Sequence, residues 1–396
     1  MRTSRVIPVL AAVGLMAALG AVVGSTGPAA AARPAAERRA DVVQVVGNGF
    51  GHGHGLSQWG AELAARQGAT YSQILRFYYP GLKFGSIGGN VSVLISADTS
   101  ADVIVSDRSG LEVRSLGNGK AYPLSKPARL WRLMPVQGGK RTKISWRGSS
   151  GGGWQTLRTV AGDAEFRAGS RPIALHTPEG IRSYRGSLRS ARPSADSGQR
   201  DTVNVLPLES YLKGVVPREV PALWKPHAVR AQAVAARTYA AFERAQPLAE
   251  HYQICDTTQC QVYGGYTDEH PKSNQAIAAT KKRVLLAGGQ PAFAQFSASN
   301  GGFTSAGAFD YLPAQEDPFD TAYQGWTDTV TPREVEEALP AIGTFESAEV
   351  VARDGNGAFG GRATRVRITG SRTATTISGD DFRSFFGLRS TLFKLG

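Results

Sequence analysis

The stretch from Pro221 to about Arg244 is alanine-rich and holds no glycine, in a chain of 396 residues that carries 47 glycines and 21 prolines. Alanine is the best helix former, whereas glycine and proline weaken or end helices, so this stretch predicts the one long helix and the punctuation elsewhere restricts the chain to short elements. Between Val91 and about Leu206 the runs VSVLIS, DVIVSD, LEVRSL, PIALHT, IRSYRGSLRS and TVNVLP are short, alternating or β-branched, and are separated by turn residues, which predicts strands. Shorter helices are expected over LSQWGAELAARQG with a stop at Gly68, over Tyr71–Tyr79, over LESYLKGVV and over SGDDFRSFFGL with a stop at Gly387. Thr331-Pro332-Arg333-Glu334 reads as a capping box with proline in the first turn. The fold class is α+β, a mainly antiparallel sheet with one long and several short helices.

The first residues read as an export signal. Arg2 and Arg5 precede an apolar run from Val6 to Val23, and Ala29–Ala32 offer small-residue cleavage sites. An uncleaved anchor is the alternative, because the run approaches the ~18 residues needed to span a bilayer; the small-residue exit favours cleavage. Residues 1–32 are therefore expected to be a signal peptide, 33–40 a linker and 41–396 the folded part. The folded part divides into a glycine-rich segment (41–86), a β-rich part (87–206) and a part holding the candidate catalytic motif (207–396). Removing residues 1–32 takes away two arginines and lowers the formal charge from +13 to +11. A basic exported protein suits an anionic surface such as a cell wall. The basic residues are scattered and no nucleic-acid motif occurs, so nucleic acid is not an expected partner. No second run could span a membrane.

Four segments carry candidate chemistry. Glu219 lies between Pro217 and Pro221, just before the long helix; the prolines stiffen the backbone, and a carboxylate there is held in place. Acids at helix starts also occur simply because they favour the macrodipole. Arg230 and Arg237 interrupt the alanines seven positions apart, on one helical face with Gln232 between them. They form either a solvated stripe or a polar wall for a sugar. In GHGHGLSQWGA the glycines at 49, 51, 53 and 55 let the backbone approach another chain or a ligand, and His52 and His54 could titrate or bind metal, although a structural turn explains an HGH better. In FSASNGGFTSAG the serines Ser297 and Ser299 lack a nucleophile elbow. Cys255 and Cys260, the only cysteines, are expected to form a disulfide in an oxidising compartment. Zinc, with His251 or His270, is the alternative, and a C-x4-C pair alone falls short of four ligands.

Taken together, the segments YRGSL, LPLESYLKGVVPREVP, AVRAQAVAARTYA, CDTTQCQVYGG, the SNGG turn, FRSFFGLRST and GHGHGLSQWGA…FYYPG resemble the SpoIID/LytB family over nearly all of residues 41–396. The resemblance implies a peptidoglycan-directed protein. Some members look like lytic transglycosylases that cut the MurNAc–GlcNAc bond of glycan strands; others are described as enhancers of wall amidases, so glycan strands and a wall amidase are the implied partners. It carries the catalytic role onto Glu219 and glycan contacts onto Arg230, Gln232, Arg237, His52, Gln58 and Ser299. No cofactor is implied, although some members hold zinc near the cysteine region with extra ligands that this chain lacks. His227 stands where the family often has Glu. The order of segments also differs: here the GHG segment comes first and the chain stops at RSTLFKLG, so the sequence looks circularly permuted. That predicts that the strand near Val42–Val46 lies beside Thr391–Leu395, and that His52 and Glu219 line one cleft.

A single acid suffices for the implied reaction, whereas an ordinary glycosidase needs a second carboxylate ~5–9.5 Å away. Glu209 is the nearest upstream acid, but the apolar residues around it point to packing at a helix start.

Overall fold

The computed structural model describes residues 42–396; the expected signal peptide and linker lie outside the described residues. The β-branched runs form two sheets that share one core. In the six-stranded sheet the spatial order is Gln155–Ala161, Arg141–Arg147, Leu130–Val136, Val103–Ser106, Ile173–Thr177, Gly180–Tyr184. In the seven-stranded sheet it is Ile254–Cys255, Asn90–Leu94, Asp201–Pro207, Ser187–Ala191, Ala164–Arg167, Glu112–Ser115, Ala121–Pro123. All neighbours are antiparallel except Ile254–Cys255, which runs parallel to Asn90–Leu94. Alternation sends Val103, Val105, Ile173 and Leu175 from the first sheet and Val91, Val93, Val113 and Phe166 from the second into the common core, all essentially unexposed. The run IRSYRGSLRS divides into two strands in different sheets. The break is at Gly186, whose positive φ of 76° turns the chain and where a Cβ would lie 2.3 Å from the Val205 carbonyl oxygen.

The helices are α1 (Gln58–Arg66), α2 (Tyr71–Tyr78), α3 (Leu208–Glu219), α4 (Pro226–Ala245), α5 (Pro271–Ala279), α6 (Pro332–Ala338) and α7 (Gly379–Phe385). The expected capping box closes α6, with Thr331 and Glu334 satisfying each other's backbone amides. The long helix begins five residues later than expected. Lys225, held extended by the proline after it (φ −54°, ψ 134°), cannot be helical, so Pro226 becomes the first turn. Two cores claim α4. Val229, Ala233, Ala236 and Ala240 face the sheets, whereas Ala228, Ala231, Val234 and Ala235 pack with Leu56, Ala61, Ile74, Leu75 and Tyr78 from the α1–α2 region. A helix enclosed on both sides has room for methyl groups and little more, which is the physical reason for its alanines.

A third core joins the sheet Phe345–Arg353, Ala363–Gly370, Ala374–Ser378 to a small sheet in which Val43–Gly47 is the middle strand. Its neighbours are Trp326–Val330 and Phe393–Leu395, both antiparallel, with Val45 opposite Leu395. The two ends of the described chain thus lie side by side, as expected of the strand near Val42–Val46 and the Thr391–Leu395 segment. Among the described residues no helix is long and apolar enough to cross a membrane.

Candidate functional site

Glu219 is the last residue of α3. The sequence places it just before the long helix, near that helix's N-terminus; the structure instead ends a helix on it. Pro217 is tolerated within the final turn, Val220 is extended, and Pro221 prevents continuation. A carboxylate at this end faces the negative pole of the helix, which disfavours ionisation.

Glu219 opens into a cleft of about 390 Å³. One side is the glycine loop (Phe50, Gly51, His52), another the Gln295–Ala298 segment, and a third the disulfide loop from Thr258 to Val262, with Tyr239 of α4 completing the lining. The glycine loop lies against its own chain so closely that side chains are excluded. A Cβ at Gly55 (φ +64°) would stand 2.2 Å from the Gln295 carbonyl oxygen, and one at Gly53 (φ +77°) 2.1 Å from the Arg362 guanidinium. Arg362 is itself buried and donates to the Asn300 carbonyl at 2.8 Å, which ties the loop to the SNGG turn.

Burial pushes the Glu219 carboxyl from the usual 4.5 up to about 7, against the opposing pull of hydrogen bonds from Gln58 and the Val262 backbone and of the Arg218 charge. Gln58, in the first turn of α1, donates from Nε2 to Glu219 Oε2 at 3.2 Å. Glu219 is the one carboxylate among the residues lining the cleft. His52 is neutral: burial, then the neighbouring His54, Arg362 and Arg383, lower its pKa to about 3. Its Nδ1 accepts from the His54 backbone amide at 2.9 Å, which assigns the ring proton to Nε2. A neutral imidazole and a carboxyl poised at neutral pH make a site that can give up one proton and take it back.

Glu219, His52 and Gln58 are therefore brought together, although His52 and Gln58 lie far from Glu219 in sequence. Three other expected glycan contacts are corrected. Arg237 is fully buried; its guanidinium forks onto Glu209 at 2.8 and 3.0 Å and donates to the Ala233, Arg283 and Ile277 carbonyls. It joins α3, α4 and α5 and has no surface for a ligand, and Glu209 is its partner. Ser299 is also fully buried, its hydroxyl donating to Asp320 and to the Ala322 carbonyl. Gln232 is 1 % exposed within the packed face of α4, and neither amide atom has a partner among the described residues. Arg230 remains accessible but lines a different cavity.

Cys255 and Cys260 form a disulfide, and Cys260 is part of the cleft wall. His251 turns instead to Asp201, at 2.6 Å. No group of three or more His, Cys, Asp or Glu side chains suited to a metal occurs among the described residues. The sequence reading missed a row of aromatic rings. Phe50 meets Tyr323 (centroids 5.4 Å apart), Tyr323 meets Trp59 (6.3 Å) and Trp59 meets Trp224 (4.8 Å). Trp59 and Trp224 were visible as tryptophans set among polar and turn residues. Tyr323 carried no signal, and it occupies a positive φ of 49° that favours glycine.

The family profile described as "Stage II sporulation protein" matches residues 196–286, which include Glu219, Arg230, Arg237 and both cysteines. The amidase enhancer of Bacillus subtilis is 39 % identical over 131 residues, and the stage II sporulation protein D of the same organism is 30 % identical over 226. Residues 196–286 therefore match the SpoIID family, and the chain is similar to these relatives over part of its length. A further SpoIID relative, the stage II sporulation protein D of Bacillus amyloliquefaciens, is 26 % identical over 254 residues, which cover 57 % of this chain and 67 % of that protein. The match to the amidase enhancer covers 32 % of this chain and only 17 % of that relative; the match to the B. subtilis sporulation protein covers 49 % and 61 %. The SpoIID profile starts after the GHG loop, so the placing of His52 and Gln58 beside Glu219 rests on the geometry alone.

Proposed function

We propose that this protein acts outside the cell on the bacterial wall, as a lytic transglycosylase that cuts the MurNAc–GlcNAc bond of peptidoglycan glycan strands. The observation that carries this reading is a solitary cleft carboxyl with its pKa raised to about 7. In its protonated form Glu219 donates to the glycosidic oxygen as the C1–O4 bond breaks. The resulting carboxylate then takes the proton of the same muramyl residue's 6-hydroxyl, O6 bonds to C1, and a 1,6-anhydro ring closes. The proton lost in the first step is regained in the second, so no water and no second carboxylate are consumed. Gln58 orients Oε2 from below, and the closeness of this pKa to neutrality suits both halves of the cycle. Intact strands incubated with the purified protein should yield anhydro-muropeptides by mass spectrometry; reducing-end products would instead indicate a water-using muramidase.

Similarity to a relative named amidase enhancer favours a second reading, in which the protein binds the wall and stimulates a partner amidase without cutting glycan. Stimulation of an amidase by both the parent and Glu219→Gln, with no glycan product from either, would select it.

A further inference from the structure

A second cavity, about 280 Å³, is lined by Leu223, Trp224, Val229, Arg230, Lys272 and Ala276 among others. Its lining contains two cations and no acid. None of the ion pairs among the described residues uses Arg230 or Lys272, although the neighbouring cations Arg218 and Arg237 are each matched to an acid. Arg230 Nε is buried and has no hydrogen-bond partner. A buried donor left in this state is destabilising, so the fold holds a guanidinium ready for an acceptor it does not itself supply. Apart from Gln275 the rest of the lining is apolar, and Leu223 at its rim is 80 % exposed, which no packing requirement explains.

The cavity is connected to the Glu219 cleft by the aromatic row. Phe50 lines the cleft, Trp224 lines the cavity, and Tyr323 and Trp59 link them in ring-to-ring contact. Trp59 directly follows Gln58, which holds Glu219. Aromatic faces offer large apolar area at low entropic cost and suit the C–H faces of sugar rings. A glycan laid along this row with its reacting bond at Glu219 presents the substituent of a neighbouring sugar to the cavity. Cationic groups over an apolar floor select a carboxylate on a short aliphatic stem.

We propose that the Trp224–Arg230–Lys272 cavity is a subsite for a carboxylate borne by the glycan near the scissile bond. This rests on the glycan-cleaving reading and names the substrate feature that the site selects. Two sources supply that chemistry: the lactyl carboxylate of a muramyl residue when it is free, or a carboxylate of an attached stem peptide.

The test measures binding, not turnover, and uses the full chain carrying Glu219→Gln. The probes are peptide-stripped strands, stripped strands with their lactyl carboxylates methyl-esterified, strands retaining stem peptides, and an uncharged β-1,4-linked N-acetylglucosamine oligomer. At least one carboxylate-bearing probe should bind about tenfold more tightly than the esterified strands and the neutral oligomer, with the advantage shrinking as salt rises. Tighter binding of stripped strands assigns the lactyl group; tighter binding of peptide-bearing strands assigns the stem. Adding Arg230→Gln should cost the preferred probe about tenfold, the scale of one charge-assisted hydrogen bond. Adding Lys272→Glu, at an exposed position that does not threaten folding, should cost about three- to fivefold. Neither change should alter binding of the neutral oligomer. Equal affinity for all probes, or equal losses on charged and neutral ones, overturns the subsite. Absence of anhydro product from the parent protein, with the preference intact, would overturn the catalytic reading and leave the subsite standing.

Discussion

Replacing Glu219 by Gln separates catalysis from stability in a way that depends on pH. The folded-state pKa is raised from 4.5 to about 7, so between those values the folded chain binds more protons than the unfolded one, and stability falls as pH rises through that window. Each unit corresponds to 1.36 kcal/mol; above pH 7 the ionised Glu219 therefore costs the fold roughly 3–3.5 kcal/mol, and below about pH 4 it costs almost nothing. Gln keeps the shape and cannot ionise. The variant should match the parent in acid and exceed it by roughly 3–3.5 kcal/mol in mild alkali. At about 2.1 cal/mol/K of unfolding entropy per residue across the described chain, that margin is about 4–5 °C in Tm. Anhydro-product release from the same preparations should drop by ~10²–10⁴-fold or more, because one group serves both proton transfers. Thermal unfolding at about pH 4 and about pH 8, alongside product analysis, measures both. A Tm gap that does not open with pH would refute the buried, proton-holding carboxyl, and full activity of the folded variant would remove Glu219 from the mechanism.

Activity of the parent should fall about tenfold per pH unit above pH 7, as the acid form is lost. Gln58→Leu removes a hydrogen bond that favours the carboxylate, so the alkaline limb of the pH–rate profile should move upward; a downward move would contradict the assignment. Arg237→Gln should lower stability by about 3–5 kcal/mol, because it leaves Glu209 without its buried partner, while glycan affinity of the folded fraction stays unchanged; calorimetry and binding on the same sample decide. Reducing Cys255–Cys260 opens a short loop worth about 2 kcal/mol in chain entropy and loosens a wall of the cleft, so glycan turnover should decline before global unfolding, as read by product release across a reductant series.

What could be read from the sequence followed the range of the interaction. The capping box at Thr331, the glycine stops at Gly68 and Gly387, and the alternating strands are set by neighbours in the chain, and all appear close to where expected. The end of α3 was misread because two prolines around Glu219 mark a boundary without saying on which side the helix lies. Arg237 and Ser299 were misassigned for a different reason. A helical period shows which residues share a face but not what covers it, and Glu209 and Asp320 are supplied by distant segments. The glycine loop was legible as a place of close approach; that the approach is to Gln295 and Arg362, with Glu219 across the gap, is a tertiary fact.

The position of Val43–Gly47 as a middle strand bears on how the molecule matures. The strand that leads into the glycine loop is clamped on one side by Trp326–Val330 and on the other by Phe393–Leu395, so one wall of the cleft waits for segments some 280 and 350 residues away to arrive. Closing so long a loop is entropically costly and comes late. The sheets around Glu219 can assemble from residues 90–255 alone, whereas the gap into which Glu219 faces closes only when both ends dock. If the proposed glycan cleavage holds, a chain built in this order gains its cleft only after both flanking strands have docked. Pulse-labelled hydrogen exchange should find amides of Val43–Gly47 protected after those of Asp201–Pro207.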